Sequence, residues 1–503
     1  MPPFRLKIAA AEFELTPDIG SETDVRTGAK ASEVVGPLKT TVMLLEGGAV
    51  RVCLVTTHFG PSTPVNVSEL FRRSLAEELN LPMSHVLFFS SHNHCSVAFA
   101  KNGVLMYESY SRGDLPAPEL LPIGEEFLKT LLNHAKQLPQ QMQPVTVWWS
   151  EGRENRITYN RKGRRADGTT YLMREEDRIL LDGDFSGEID PTASVVLFRN
   201  DEGCTVAALA QFTGHPVTSY HPERTVIFGE WPQVACEVLA NRLQFDNQSL
   251  TESTDQGGVP VGFLQGCAGN SNSKQMLSGD VARSTEFGHM LGGVYVETLN
   301  QLKPSAREDL DFVVQHVGIP LGPLPSRQAL ADELDELDDF IRRAKSGDED
   351  TLSCAGLNFA HALSPPFRAR MVELVRPWTA WALQHYEART ENSVATQLRM
   401  DVSVLRIGDV GIVGLPCEPF HEIGLQIRRD SSLPSAIPCG YTNVSHGYIP
   451  DSTNLGDGEY MSSHHRYTRF RPPLAAPAGD VLADVAVGIL NRMANATEAD
   501  DES

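Results

Sequence analysis

The stretch that most constrains this 503-residue chain is Val86-Leu87-Phe88-Phe89-Ser90-Ser91-His92-Asn93-His94-Cys95-Ser96. Four consecutive apolar residues fit a buried strand, and the small polar residues after them mark its end. In an open α/β sheet, ligands sit in the crevice beyond the carboxyl ends of the strands. Residues i and i+2 of extended chain point to one side, so His92 and His94 emerge together at such an end. Two imidazoles side by side suit a metal site, or one ligand beside one acid–base group. The H-x-H pattern is short and fits a pair of idle loop histidines as well.

The surrounding chain reads as a mixed layered α/β protein. Apolar runs over 4–13, 40–45 and 50–56 predict strands, 68–79 an amphipathic helix, and 86–89 the strand that leads to the histidines. This β-β-β-α-β opening is the pattern of a layered sheet-and-helix fold. Further on, 124–137 reads as a helix and 145–151 as a strand. The arginine-rich stretch Asn155-Arg156-Ile157-Thr158-Tyr159-Asn160-Arg161-Lys162-Gly163-Arg164-Arg165 then fits either a solvated loop or a clamp for an anion or carbonyl oxygen. Runs over 194–198 and 205–212 suggest a hairpin whose second strand ends near His215. A helix over 232–243 and a strand over 259–264 lead into the turn 265–274, rich in small and amide residues. A turn of that kind before the helix 279–301 can aim backbone N–H groups at an anionic oxygen.

A strand over 310–321 precedes two helical stretches, 326–345 and 365–390. Together they read as a helical insertion, about 326–391, that packs on the sheet, lids the site or forms an interface. Strands over 394–407 and 410–415 follow, and the second runs into Glu418 at the start of a helix reaching residue 428. A last helix over 480–493 closes a single domain, 1–493, and leaves an acidic tail, 494–503, expected to be disordered.

Composition sets bounds. The net charge of −22 argues against a nucleic-acid backbone or an anionic membrane surface as partner. No segment approaches the ~20 apolar residues of a membrane span. The amino terminus reads as a first strand, so the protein is expected to be cytoplasmic. Eight cysteines, none in a C-x-x-C pair, are expected to be free buried thiols in a reducing compartment.

Chemistry-bearing side chains thus stand just past apolar strands at His92 and His94, at His215 and at Glu418, with Tyr448 in a later loop. Two histidines and a carboxylate are a common ligand set for a catalytic zinc with an open position. Glu230 and His58, also near strand or loop ends, are candidates for supporting hydrogen bonds.

In order and local wording these segments resemble the neutral ceramidases, zinc-dependent amidases that cleave N-acyl-sphingosine. The family's H-T-H-S-G is similar to His92-Asn93-His94-Cys95-Ser96, and its H-G-T-S to His215-Pro216-Val217-Thr218-Ser219. Its N-R-S-P-Y resembles Asn155-Arg156-Ile157-Thr158-Tyr159, and its P-G-E resembles Leu415-Pro416-Cys417-Glu418. Its H-Y-(I/V)-T-T…E-E-Y looks like His446-Gly447-Tyr448-Ile449-Pro450…Gly458-Glu459-Tyr460.

The resemblance implies the catalytic-domain fold of that family with a Zn2+ ion held by His92, His215, Glu418 and Tyr448. It places His94 and Arg156 at the scissile carbonyl and Tyr460 in the pocket wall. Where the family has its serine nucleophile, in G-D-V-S-P-N, this chain has Asn272 within Gly269-Asn270-Ser271-Asn272-Ser273-Lys274. The family's C-terminal domain has no counterpart in the sequence given. The expected activity is therefore hydrolysis of a C–N amide bond in a small-molecule or N-acyl substrate by metal-activated water. Ester or lactone hydrolysis, an amide-forming biosynthetic step and ligand binding without turnover are the alternatives. A small molecule is the expected partner, with a homo-oligomer also open.

Overall fold

A computed structural model describes residues 5–25, 28–60, 63–103, 115–174, 187–251, 258–467 and 470–496. Three sheets, each flanked by a pair of helices, share one apolar centre. The first contains β1 (Lys7–Leu15), β2 (Leu38–Gly47), β3 (Val50–Thr57) and β4 (Val86–Ser90), in the order β4-β3-β2-β1, with Gln143–Pro144 beyond β1. The first three strands are antiparallel meander neighbours. β4 instead runs parallel to β3, with Cys53 opposite Val86 and Thr57 opposite Ser90. A parallel return needs a crossover, supplied by α1 (Val65–Leu79). All five residues of β4 are buried. Cover on both faces explains why its sequence is a continuous apolar run and not an alternation.

The outer face of this sheet is sealed by α1 and α2 (Pro122–Ala135) through a cluster of aromatic rings. Phe127 is its hub, meeting Phe13, Phe59, Phe71, Phe88 and Phe99 with ring centroids 4.7 to 6.3 Å apart.

The second sheet holds β5 (Thr146–Arg153), β6 (Thr192–Arg199), β7 (Thr205–Phe212) and β8 (Val261–Gln265), ordered β8-β7-β6-β5 with Lys303–Pro304 at the edge. Here too the last pair is parallel, Ala208 to Phe212 lying against Val261 to Gln265. The crossover helix α3 (Glu230–Thr251) and α4 (Val281–Thr298) cover its outer face. The third sheet has β9 (Leu310–Pro320), and the chain then forms α5 (Arg327–Lys345), α6 (Pro365–Glu373) and α7 (Arg376–Glu387) before returning. It completes the sheet with β10 (Gln397–Ile407), β11 (Val410–Gly414) and β12 (Ser435–Cys439), β11 and β12 being parallel. The crossover helix α8 (His421–Asp430) and α9 (Asp480–Asn495) cover this sheet.

Side chains from all three sheets meet in the middle: Leu54, Leu87 and Phe89 from the first, Val196, Phe198 and Leu209 from the second, Leu405, Ile412 and Ile437 from the third. The mixed α/β architecture is the one the sequence predicts, with element ends shifted by a few residues. The expected helical stretch 365–390 is two helices. Pro377 stands at the second residue of α7, where a missing N–H is harmless, whereas inside one continuous helix it would remove a hydrogen bond. The helix expected over 232–243 runs on to Thr251. Residue 4 of the first expected strand and residues 497–503 of the expected tail lie outside the described residues, and 494–495 belong to α9.

Two measurements check this packing. Phe127→Ala removes the ring at the hub of the aromatic cluster and is expected to cost about 3–5 kcal/mol in urea unfolding. His58 is buried, and burial, aided by the charge of Lys39, pushes its pKa down to about 3 from 6.5. Between those values the unfolded chain takes up a proton that the native chain refuses, so His58 weakens the fold as pH falls from about 6.5 toward 3. His58→Gln should flatten that acid-side loss by roughly 1 kcal/mol per pH unit, read from urea midpoints at successive pH values.

Candidate metal centre

Each sheet contributes to one spot through the end of its parallel pair. Past β4 the backbone turns at His92, whose φ of 63° lies in the left-handed region, unusual for a residue with a β-carbon. Asn93 holds that turn. Its Nδ2 donates to the carbonyls of His58 at 2.9 Å and Phe228 at 2.8 Å, and its Oδ1 accepts from the Cys95 N–H at 2.8 Å. Tyr441 and Asn443, with φ of 55° and 65°, are left-handed as well. Asn443 binds the backbone of Phe88 through both its N–H and its Oδ1, while the Tyr441 ring lies 4.0 Å from the His92 ring, centroid to centroid. Strained backbone concentrated at one place is typical of a functional site.

Past β7, His215 forms a parallel bridge with Asn272, which follows β8. Asn272 in turn lies opposite Tyr159 in a short antiparallel pair, Thr158–Asn160 with Ser271–Ser273. Past β11, Glu418 lies opposite Tyr448 in the parallel pair Glu418–Pro419 with Tyr448–Ile449. These registers gather residues from four distant parts of the chain.

His92 Nε2 lies 3.3 Å from His94 Nε2 and 3.3 Å from Glu418 Oε2. His215 Nε2 lies 3.2 Å from the same Glu418 oxygen and 3.4 Å from the Tyr448 hydroxyl. Ligand atoms about 2.0–2.1 Å from a tetrahedral zinc are about 3.3–3.4 Å from one another. His92, His94 and His215 together form a cluster that can hold a metal ion.

The protonation of His215 tests whether a cation fits. Its Nδ1 lies 2.8 Å from the Ala268 carbonyl and 3.1 Å from that of Ser271. A ring nitrogen placed between two acceptors carries the proton, which fixes the tautomer. Burial, then the Arg161 guanidinium and His92, push the His215 pKa down to about 3, against the opposing pull of Glu418. At neutral pH the ring is therefore uncharged, and its Nε2 lone pair faces a carboxylate oxygen at 3.2 Å. Burial pushes the Glu418 carboxyl upward, but His92 beside it outweighs burial and holds Glu418 well below the usual range, so it is ionised. Two acceptors at that distance repel unless a cation lies between them. His94, the partly exposed imidazole of the three, is held well below its ordinary pKa by burial and by His92 and His215.

The basic stretch divides at the site. Arg156 donates to Glu154 and its side chain is 57% exposed, so its guanidinium is engaged away from the histidines. Arg161, five residues later and buried, reaches the cluster instead. Its Nη2 is 3.4 Å from His215 Nε2, its guanidinium carbon is 5.1 Å from the Tyr448 ring centre, and it donates to the Gly269 carbonyl at 2.7 Å. Of the two guanidiniums, that of Arg161 and not that of the expected Arg156 is therefore the one beside the histidines. The signal was available: Asn160-Arg161 repeats the Asn-Arg dipeptide of Asn155-Arg156. A three-residue strand places the second dipeptide, and not the first, against Asn270 to Ser273.

The remaining expected residues lie in or beside the cluster. Asn272 is fully buried. Its Nδ2 donates to the Met276 sulfur at 3.0 Å, and its Oδ1 has no hydrogen-bond partner among the described residues. The Tyr460 ring lies 5.3 Å from that of Tyr448. Glu230 is buried away from the imidazoles, its carboxylate accepting from the N–H and hydroxyl of Ser219. All eight cysteines are buried and free. Burial pushes Cys95, Cys267 and Cys417 well above the ordinary thiol pKa, away from the thiolate a ligand or nucleophile needs. No helix among the described residues is long and apolar enough to cross a membrane.

Fold and site define a mixed α/β protein with a histidine cluster suited to a metal ion at the carboxyl ends of three parallel strand pairs. No protein-family model and no curated protein sequence matches the chain. Its structure is similar to that of the neutral ceramidase from Pseudomonas aeruginosa, with a TM-score of 0.60 at 15% identity over 97% of this chain and 75% of that one. It is likewise similar to a ceramidase complexed with C2, with a TM-score of 0.63 at 16% identity over 98% of this chain and 76% of that one.

Metal analysis checks the centre. Protein dialysed against zinc is expected to retain about one ion per chain. His215→Ala should weaken retention, measured by chelator competition, by more than the roughly 10–100-fold that loss of an outer hydrogen-bond partner costs.

Proposed function

We propose that this protein is a zinc-dependent hydrolase that cleaves a C–N amide bond in a small N-acyl substrate. The observation that carries the reading is the contact of the His215 Nε2 lone pair with ionised Glu418 at 3.2 Å, beside His92 and Tyr448. The likeness to ceramidase structures supports amides as the substrate class. In this reading His92, His215, Glu418 and Tyr448 hold the ion. When bound, zinc supplies Lewis acidity, polarising a carbonyl and lowering the pKa of water to about 7.

The chain's own residues do the rest. His94, 3.3 Å from His92 and partly exposed, takes the proton from the attacking water and returns it to the departing nitrogen. Arg161, anchored on the Gly269 carbonyl, donates to the oxygen on which negative charge develops. Asn272 has no nucleophilic oxygen, and in this reading water carries out the attack. Its Nδ2, held by the weak acceptor Met276, can be exchanged onto the substrate oxygen. Tyr460 forms part of the pocket wall beside Tyr448.

The test is hydrolysis of matched N-acyl amides and esters of graded acyl length by zinc-loaded protein. Amide turnover is expected, with His94→Ala lowering kcat about 10²–10⁴-fold while zinc is retained. Arg161→Met should lower kcat about 10²–10³-fold, and Arg156→Met should leave it near wild type. Ester cleavage without amide cleavage would move the assignment to an esterase or lactonase. Saturable binding without turnover would make the protein a silent ligand binder.

A further inference from the structure

Next to Arg161 the chain buries a second cation. The side chain of Lys162 is 6% exposed. Its Nζ lies 2.5 Å from Asn454 Oδ1, 2.6 Å from Asp457 Oδ2 and 3.1 Å from Ser462 Oγ, with Glu459 Oε1 at 3.8 Å. An ammonium has three donors, and three oxygens within reach use all of them. The Glu459 side chain is fully buried, so this ammonium supplies positive charge beside a carboxylate out of contact with water.

The four oxygens around Lys162 among the described residues all come from one loop, 454–462, which carries Tyr460. The rest of the contacts spread outward from it. Asn454 Nδ2 donates to Glu422 at 3.0 Å, and the other oxygen of Glu422 accepts from Asn270 at 2.9 Å, two residues before Asn272. Glu459 Oε2 accepts from Thr170 at 2.6 Å, and Thr170 lies opposite Arg164 in the short hairpin that contains Lys162. The ammonium thus ties the segment with Arg161 directly to the loop with Tyr460, and that loop reaches the turn with Asn272 through Asn454 and Glu422.

We propose that Lys162 is a positioning residue. Its ammonium clamps the loop 454–462 against the strand that begins beside Arg161, and so fixes Tyr460 relative to Arg161 and Tyr448. This rests on the reading of the cluster as the reaction site, since that is what gives the clamp its purpose. Removing the side chain beyond Cβ leaves a space whose rim holds two carboxylates, a hydroxyl and an amide oxygen. That rim selects a small ion with N–H donors and rejects one of equal charge without them.

The experiment is amide hydrogen exchange on the full chain, wild type against Lys162→Ala, with n-propylammonium or tetramethylammonium added at equal concentration. Exchange over 454–462 is expected to rise at least tenfold in the variant while α9 exchanges as in wild type. Propylammonium should restore protection and tetramethylammonium should not. Wild-type exchange over 454–462, equal rescue by both ions, or equal loosening of α9 would each overturn the proposal. Should Lys162→Ala fail to fold, Lys162→Met keeps the bulk without the charge. It is then expected to show the same local rise, and wild-type protection in that variant would also overturn the clamp.

Amide hydrolysis is the second readout. Propylammonium should recover at least tenfold of the activity lost in Lys162→Ala. Absence of amide turnover in the wild type defeats the hydrolase reading alone, since the exchange data still decide on Lys162.

Discussion

Glu418 against two imidazoles is the contact on which the rest of this structure depends. An ionised carboxylate in a buried place needs positive charge or hydrogen-bond donors beside it. His92 stands beside one of its oxygens, but His215 cannot offer a donor there, because its own proton is committed to the Ala268 and Ser271 carbonyls. The fold therefore holds an acceptor against an acceptor, an arrangement that a bound cation turns from repulsive to attractive. The left-handed backbone at His92, Tyr441 and Asn443 belongs with this, since strain of that kind persists only where surrounding contacts fix it.

Three sheets are a costly way to build one site, and the reason lies in strand direction. A parallel pair sends both carboxyl ends the same way, and each sheet here has one such pair, formed across a helix. With one face of every sheet turned to a shared apolar centre, the three ends reach the same place. The site is thus set by rigid strands with short turns after them, which is what ligands held within a few tenths of an ångström require. The loop with Tyr460 is different. It is not part of the three sheets and is held by polar contacts, with the ammonium of Lys162 among them.

Much of this was legible in the chain. Apolar runs that stop at His92, at His215 and before Glu418 announce buried strands ending in chemistry, and the strands are where the runs are. The resemblance in short motifs to neutral ceramidases agrees with the likeness of the structures. Which arginine lies beside the histidines is decided by geometry that is local. Asn155-Arg156 and Asn160-Arg161 share the Asn-Arg dipeptide, and the pairing of Thr158–Asn160 with Ser271–Ser273 sets the second one beside the site. The break between α6 and α7 was open to view in Pro377, whereas the end of α3 at Thr251 was not, because that boundary depends on packing against α4 and the sheet.

By itself the sequence determined the class of fold, the positions of the strands and the kinds of side chain at their ends, because apolar periodicity and residue chemistry are local properties. It did not determine that those ends meet. Contacts between residues more than a hundred positions apart arise from strand order, parallel register and the packing of three sheets on one centre, none of which leaves a mark in linear spacing. The tertiary structure alone decided that Glu418 lies between His92 and His215, that Arg161 and not Arg156 is beside them, and that Lys162 is buried among the oxygens of a loop nearly three hundred residues away.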